Sequence, residues 1–280
     1  MLIHMGKRRR KPKEKVILSE TATLLEFLKA ILVLPIKVIG IIAGKGTSKD
    51  LAGPIDIISD FLTSAKFTVS MILLNITVFI ASGFFPTKWL RALAISPVNM
   101  LEGRLYTLIT AGFLHADLAH LTGNMIFLFI FGRVVERKLG SSKTALIYFG
   151  AMVISGFFSN IIYLLMGKDV LGIGASGALM GLVSAGMLLD PFYITYVLFF
   201  PLPVMLIGWM ALYSDIMGIL TPLETNIGHL AHLGGFLSIS GLMYLFEDRE
   251  RAELKKGLII NLFSLVCAII LLRIFRTFIR

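Results

Sequence analysis

Two side chains separated by a long stretch of chain have the types that acyl-transfer chemistry requires. Ser176 stands in the glycine-rich turn Gly172-Ile-Gly-Ala-Ser-Gly177, and His232 stands in Ala231-His232-Leu-Gly-Gly235. Peptide hydrolysis by serine needs an activated hydroxyl, a base within hydrogen-bond reach and donors for the developing oxyanion. Ser176 is the candidate nucleophile and His232 the candidate base. Gly174 and Gly177 leave space for a substrate backbone beside the hydroxyl. A helix starting at Ser176 would aim its free N–H groups and the positive end of its dipole at the oxyanion. His120 and Asn124 lie four apart, so they share one helix face and can supply further donors.

The elements that must position these residues are apolar runs. Hydrophobic residues make up 56% of the 280 and charged residues 16%, with a mean hydropathy of +0.86. A soluble domain is nearer half apolar and a quarter charged. Runs of membrane-spanning length cover about 67–85, 118–135, 144–166, 173–189, 192–219, 229–246 and 257–275. The stretch 22–43 carries Glu26, Lys29 and Lys37 and is interrupted by Pro35, so an amphipathic helix on the cytoplasmic interface is expected there. Lys7, Arg8, Arg9, Arg10, Lys11, Lys13 and Lys15 form a basic tail that is expected to stay inside and contact anionic lipid headgroups.

With the tail inside, the second, fourth and sixth runs all pass from outside to inside. His120 and Asn124, Ser176, and His229 with His232 begin those three runs. One polar site in the outer leaflet is therefore expected, open to water from outside. The loop 86–117 carries Trp89, Leu90, Leu101, Leu105 and Tyr106 and is expected to lie partly in the interface. No acidic residue lies near the start of these runs to orient His232, so a dyad is expected and not a triad.

The net charge of +10 is concentrated in the tail rather than on a folded face, which argues against nucleic-acid binding. Cys267 is the one cysteine, so a disulfide framework or cysteine metal cluster is excluded. The basic start lacks the compact apolar core of a cleaved signal peptide.

The stretch Phe113-Leu-His-Ala-Asp-Leu-Ala-His120-Leu-Thr-Gly-Asn124-Met125, followed by Phe131-Gly132 and Glu136, resembles the second-helix signature of the rhomboid proteases. Gly174-Ala-Ser176-Gly177 is similar to their nucleophile motif, and Ala231-His232-Leu-Gly-Gly235 to their catalytic-histidine motif. The resemblance covers about residues 67–247. It implies an all-α polytopic membrane bundle with a six-helix core, here with an additional C-terminal helix. It implies Ser176 as nucleophile and His232 as general base, with His120, Asn124 and the Ser176 N–H as oxyanion hole. Arg104 resembles the arginine of the family's first-loop Trp-Arg pair, and Glu136 the acidic residue that helps hold the second helix. Gly103 replaces the tryptophan of that pair. Met180 replaces the aromatic expected a turn after the nucleophile, where it would pack on the imidazole.

The resulting division is a basic cytoplasmic tail (1–20), an extension with an interfacial helix (21–66), a catalytic membrane domain (67–247) and a charged loop with a further hydrophobic helix (248–280). The expected protein is a multi-pass protease of the cell membrane, N-terminus cytoplasmic, that cuts transmembrane proteins without metal or other cofactor. Two alternatives use the same residues. One is a rhomboid-like protein that binds membrane clients without cutting them. The other is a metal site built from His115, His120, His229 and His232, with Asp117.

Overall fold

A computed structural model describes residues 20–197, 200–221 and 228–279; the basic tail lies outside them. The chain folds as an all-α membrane bundle. Helices α1 (Glu20–Ile42), α2 (Ala52–Ser64) and α3 (Lys66–Ser82) come first. Short helices α4 (Thr87–Leu93), α5 (Pro97–Leu101) and α6 (Thr107–Thr110) form the first loop. Helix α7 (Leu118–Phe127) runs through a π-helical turn (Leu128–Gly132) into α8 (Arg133–Leu165), and α9 is Ser176–Leu189. Strands β1 (Ile194–Val197) and β2 (Phe200–Pro203) precede α10 (Val204–Leu220), α11 (His229–Leu242) and α12 (Asp248–Ile279).

Helix α9 is the axis of the bundle. Every residue from Gly177 to Met187 is buried, as expected of a helix that is apolar all round. Its small residues let neighbours approach closely, which is how helices associate where water supplies no hydrophobic drive. A Cβ on Gly235 of α11 would collide with the carbonyl of Gly177, and one on Gly181 with Ala151 of α8. On the far side Gly257 of α12 lies against the Leu188 carbonyl, and Asn261 donates to the Met187 carbonyl at 2.8 Å.

Gly140 takes φ +77° and ψ 167° inside α8, a conformation favoured by glycine. It divides the 48-residue helical stretch Leu118–Leu165 into the separate second and third runs expected from the sequence. The fifth run differs from expectation. Residues 194–203 form an antiparallel hairpin, with Ile194 opposite Pro203 and Val197 opposite Phe200, and the helix begins only at Val204. Pro201 and Pro203 cannot donate a backbone hydrogen bond and disfavour helix in the residues before them.

The extension also differs, because α1 continues through Pro35. The following helix α2 meets α3 at a bend of 93°. Phe27 of α1 stacks on Phe61 of α2 at 3.8 Å, and the Arg133 guanidinium lies 5.2 Å from the Phe61 ring. The first loop leaves Trp89, Leu101, Leu105 and Tyr106 exposed.

Charged pairs gather at one end of the bundle. Lys138 meets Asp190 at 3.0 Å, and Lys143 reaches Glu250 and Glu247 at the start of α12. Glu136 accepts hydrogen bonds from the N–H groups of Phe67 and Thr68 and from the Thr68 hydroxyl, at 2.8–2.9 Å. Those N–H groups belong to the first turn of α3, where a helix lacks internal acceptors. Glu136 of α8 therefore caps α3.

Candidate active site

The opposite end holds the residues singled out for chemistry. Ser176 is the first residue of α9 and is half-buried. The turn before it is tied to the first loop by backbone hydrogen bonds. Ile95 and Gly172 exchange N–H and carbonyl at 3.0 and 2.7 Å, and the Gly174 N–H donates to the Ala111 carbonyl at 2.8 Å. Gly174 takes φ +117°. A Cβ there would lie 2.7 Å from His120 Nε2 and 3.5 Å from Asn124 Nδ2. The His120 ring and the Asn124 amide thus lie directly beside the backbone that precedes Ser176.

Asn124 is 8% exposed, and its Nδ2 is buried without a hydrogen-bond partner. An unpaired buried amide costs about 1–3 kcal/mol. A buried amide donor beside a glycine turn that precedes a helix-start serine has the placement that oxyanion stabilisation would require. Asp117 caps α7 by accepting from the His120 N–H at 2.8 Å, which fixes the first turn of that helix. In the loop ahead of α7, His115 is 6% exposed and stands edge-on to His120 at 5.1 Å. Burial, and secondarily the nearness of His120, pushes the His115 imidazole down to about 4, so it backs His120 as a neutral wall.

His232 lies in the first turn of α11. That helix reaches α9 through the Gly235–Gly177 contact, and the Ala231 carbonyl is 3.7 Å from a Cβ position on Gly177. The residues next to Ser176 and His232 are therefore in contact across the two helices.

The expectation that no acid could reach His232 is corrected by the structure. Asp215 Oδ1, on α10, lies 2.8 Å from the Nδ1 atoms of both His232 and His229. Asp215 is 5% exposed. The signal for it was present in the sequence, since Asp215 is the one charged residue in the run 192–219. An intramembrane charge is costly and functional by default. The starts of the even runs carry no acid that faces His232, whereas the end of the fifth run reaches the same layer.

The four-histidine metal grouping does not form. Among the described residues the convergent ligand set is Asp215, His229 and His232, with ligand atoms within 4.8 Å of one another, and Asp117 is engaged as a helix cap. Arg104 pairs with Glu102 at 2.8 Å and with the Asn99 side chain at 3.1 Å, beside Gly103 at φ +78°. Met180 is buried in the core.

Comparison with known proteins assigns this architecture. A rhomboid domain model matches residues 102–251. RHOMBOID-like protein 12, mitochondrial, of Arabidopsis thaliana is 31% identical over 190 residues, 62% of this chain and 56% of that protein. Rhomboid-like protein 11, chloroplastic, of the same plant is 32% identical over 119 residues, 42% of this chain and 40% of that protein. The chain therefore spans about half the length of these relatives. The putative rhomboid protease YdcA of Bacillus subtilis is 32% identical over 154 residues, 50% of this chain and 68% of that protein. With the family model matching over more than half of its length, the chain belongs to the rhomboid family.

Proposed function

We propose that the chain is an intramembrane serine endopeptidase, with Ser176 as nucleophile and His232 as general base. The observation that carries this reading is the turn at Gly174. A glycine at positive φ, a buried amide and an imidazole converge on the backbone just before a serine at a helix start.

In this reading His232 Nε2 takes the Ser176 proton as the oxygen attacks a peptide carbonyl. Asn124 Nδ2, His120 and the Ser176 N–H stabilise the oxyanion. The imidazolium then protonates the leaving amine, and water hydrolyses the acyl-enzyme by the reverse sequence. Substrates are transmembrane helices that unwind locally near the outer leaflet, because a helical peptide bond is shielded by its own backbone. Small side chains at the cleavage point suit the glycine-lined turn.

The catalytic domain covers 67–247 in this account. Arg104 and its partners brace the first loop, Glu136 anchors the first span, and Met180 packs behind the active-site helices. The protein is assigned to a cell membrane, with the basic tail cytoplasmic on anionic lipid and the last helix an addition to the core.

The test is cleavage of a transmembrane substrate in proteoliposomes, with product termini read by mass spectrometry. Wild type should cut within the membrane-embedded segment, and Ser176→Ala and His232→Ala should not. Substantial cleavage by either variant defeats the assignment.

A further inference from the structure

We infer that Asp215 is a positioning residue for the general base and that His229 is the second donor that holds Asp215 in place. This extends the Ser176–His232 reading and rests on it. The active site then has a third member contributed by α10, and its imidazole is set by contact with a carboxylate.

The chemistry follows from the hydrogen inventory. A carboxylate oxygen has no proton to give, so each 2.8 Å contact with Asp215 Oδ1 requires a hydrogen on the histidine Nδ1. In neutral His232 that leaves Nε2 with a lone pair, which is the tautomer a base needs. An imidazole without such a partner divides its population between two tautomers and several ring orientations. During attack the Ser176 Oγ–H bond breaks, the Oγ–carbonyl bond forms and Nε2 gains the proton. Nδ1 keeps its own proton, now shared with an anion as positive charge grows on the ring. When the peptide C–N bond breaks, the Nε2 proton leaves with the amine. Asp215 remains unprotonated throughout.

Three observations outside the Ser176 turn favour a built arrangement over a chance contact. Asp215 is buried in an apolar helix, where an uncompensated carboxylate is costly. Two donors on one oxygen supply the compensation and hold the side chain from two directions. Gly218, three residues on, leaves room for the second donor: any side chain there would collide with the His229 ring. The helix that carries the acid is thus also shaped to admit His229.

The experiment uses full-length protein in proteoliposomes with a transmembrane substrate. It measures kcat and KM separately, together with the rate of Ser176 labelling by a fluorophosphonate. Asp215→Asn should lower kcat by about a hundredfold or more, by analogy with loss of the orienting acid in serine hydrolases. KM should hold and the labelling rate should fall in parallel. Asp215→Glu should recover part of the loss, and His229→Gln should cost less than Asp215→Asn. The kcat of Asp215→Asn staying within about threefold of wild type, with Ser176→Ala and His232→Ala inactive, would overturn the role of Asp215 alone. Activity in Ser176→Ala would instead overturn the underlying reading.

A second measurement covers the case where Asp215 variants do not fold. In histidine-selectively 15N-labelled wild type, His232 and His229 should both be Nδ1–H tautomers. A His232 that is Nε2–H contradicts the inference. Activity removed by a chelator and restored by a divalent metal also contradicts it, making the three residues a metal site.

Discussion

The two ends of the bundle use their polar groups differently. At the charged end Glu136 accepts three hydrogen bonds from the start of α3, and Lys143 binds two carboxylates of the α11–α12 corner. At the other end Asn124 Nδ2 is buried without a protein partner, and it lies with the His120 ring directly beside the Gly174 backbone. Satisfied groups stabilise a fold. A buried polar group without a partner persists only where the surrounding structure enforces it. We propose that the first end serves stability and the second preorganisation, with α9 joining them.

The most disruptive way to test that division is to break the join. Gly235→Val drives a side chain into the Gly177 backbone, which has no flexible tip to yield. It should lower stability by about 3 kcal/mol, the upper part of the usual overpacking range, and abolish cleavage. Thermal unfolding in micelles and the proteoliposome assay read the two effects.

A sharper separation comes from one substitution at each end. Asn124→Ala should lower kcat by about a hundredfold, the effect of losing one oxyanion donor. It should leave the melting temperature unchanged or raised, because an unpaired donor is removed. Glu136→Ala should do the reverse. It strips the cap from α3 and leaves buried donors unpaired, costing about 2–3 kcal/mol, while kcat per folded molecule is retained. Lost stability in Asn124→Ala, or lost kcat in folded Glu136→Ala, would break the division.

The smallest effect is expected at Lys143, whose ion pairs lie at the periphery. Partly exposed pairs contribute about 1 kcal/mol or less, so Lys143→Met should lower the melting temperature only slightly and leave kcat unchanged.

Much of this arrangement was legible in the sequence, for physical reasons that can be named. Hydrophobic run length marked where the apolar helices lie, and the direction expected from charge asymmetry grouped the starts of three of them. The structure brings His120 and Asn124 beside the turn before Ser176. The glycines at 177, 181 and 235 marked where helices could touch, and the structure brings them together. The hairpin before α10 was missed because its residues are as apolar as a span, and only Pro201 and Pro203 distinguish it. Asp215 is not apparent from run starts because it lies near the end of an odd run and meets His232 only through the packing of α10 on α11. His229 then had no assigned partner, since its relation to His232 depends on a third helix that sequence spacing cannot dock.

The central claim, that Ser176 is a nucleophile activated by His232, is tested most directly by labelling the protein in membranes with a fluorophosphonate and locating the adduct by mass spectrometry. The account predicts one adduct, on Ser176, absent from Ser176→Ala and formed far more slowly in His232→Ala. An adduct that persists in Ser176→Ala, or wild-type labelling of Ser176 in His232→Ala, would contradict it.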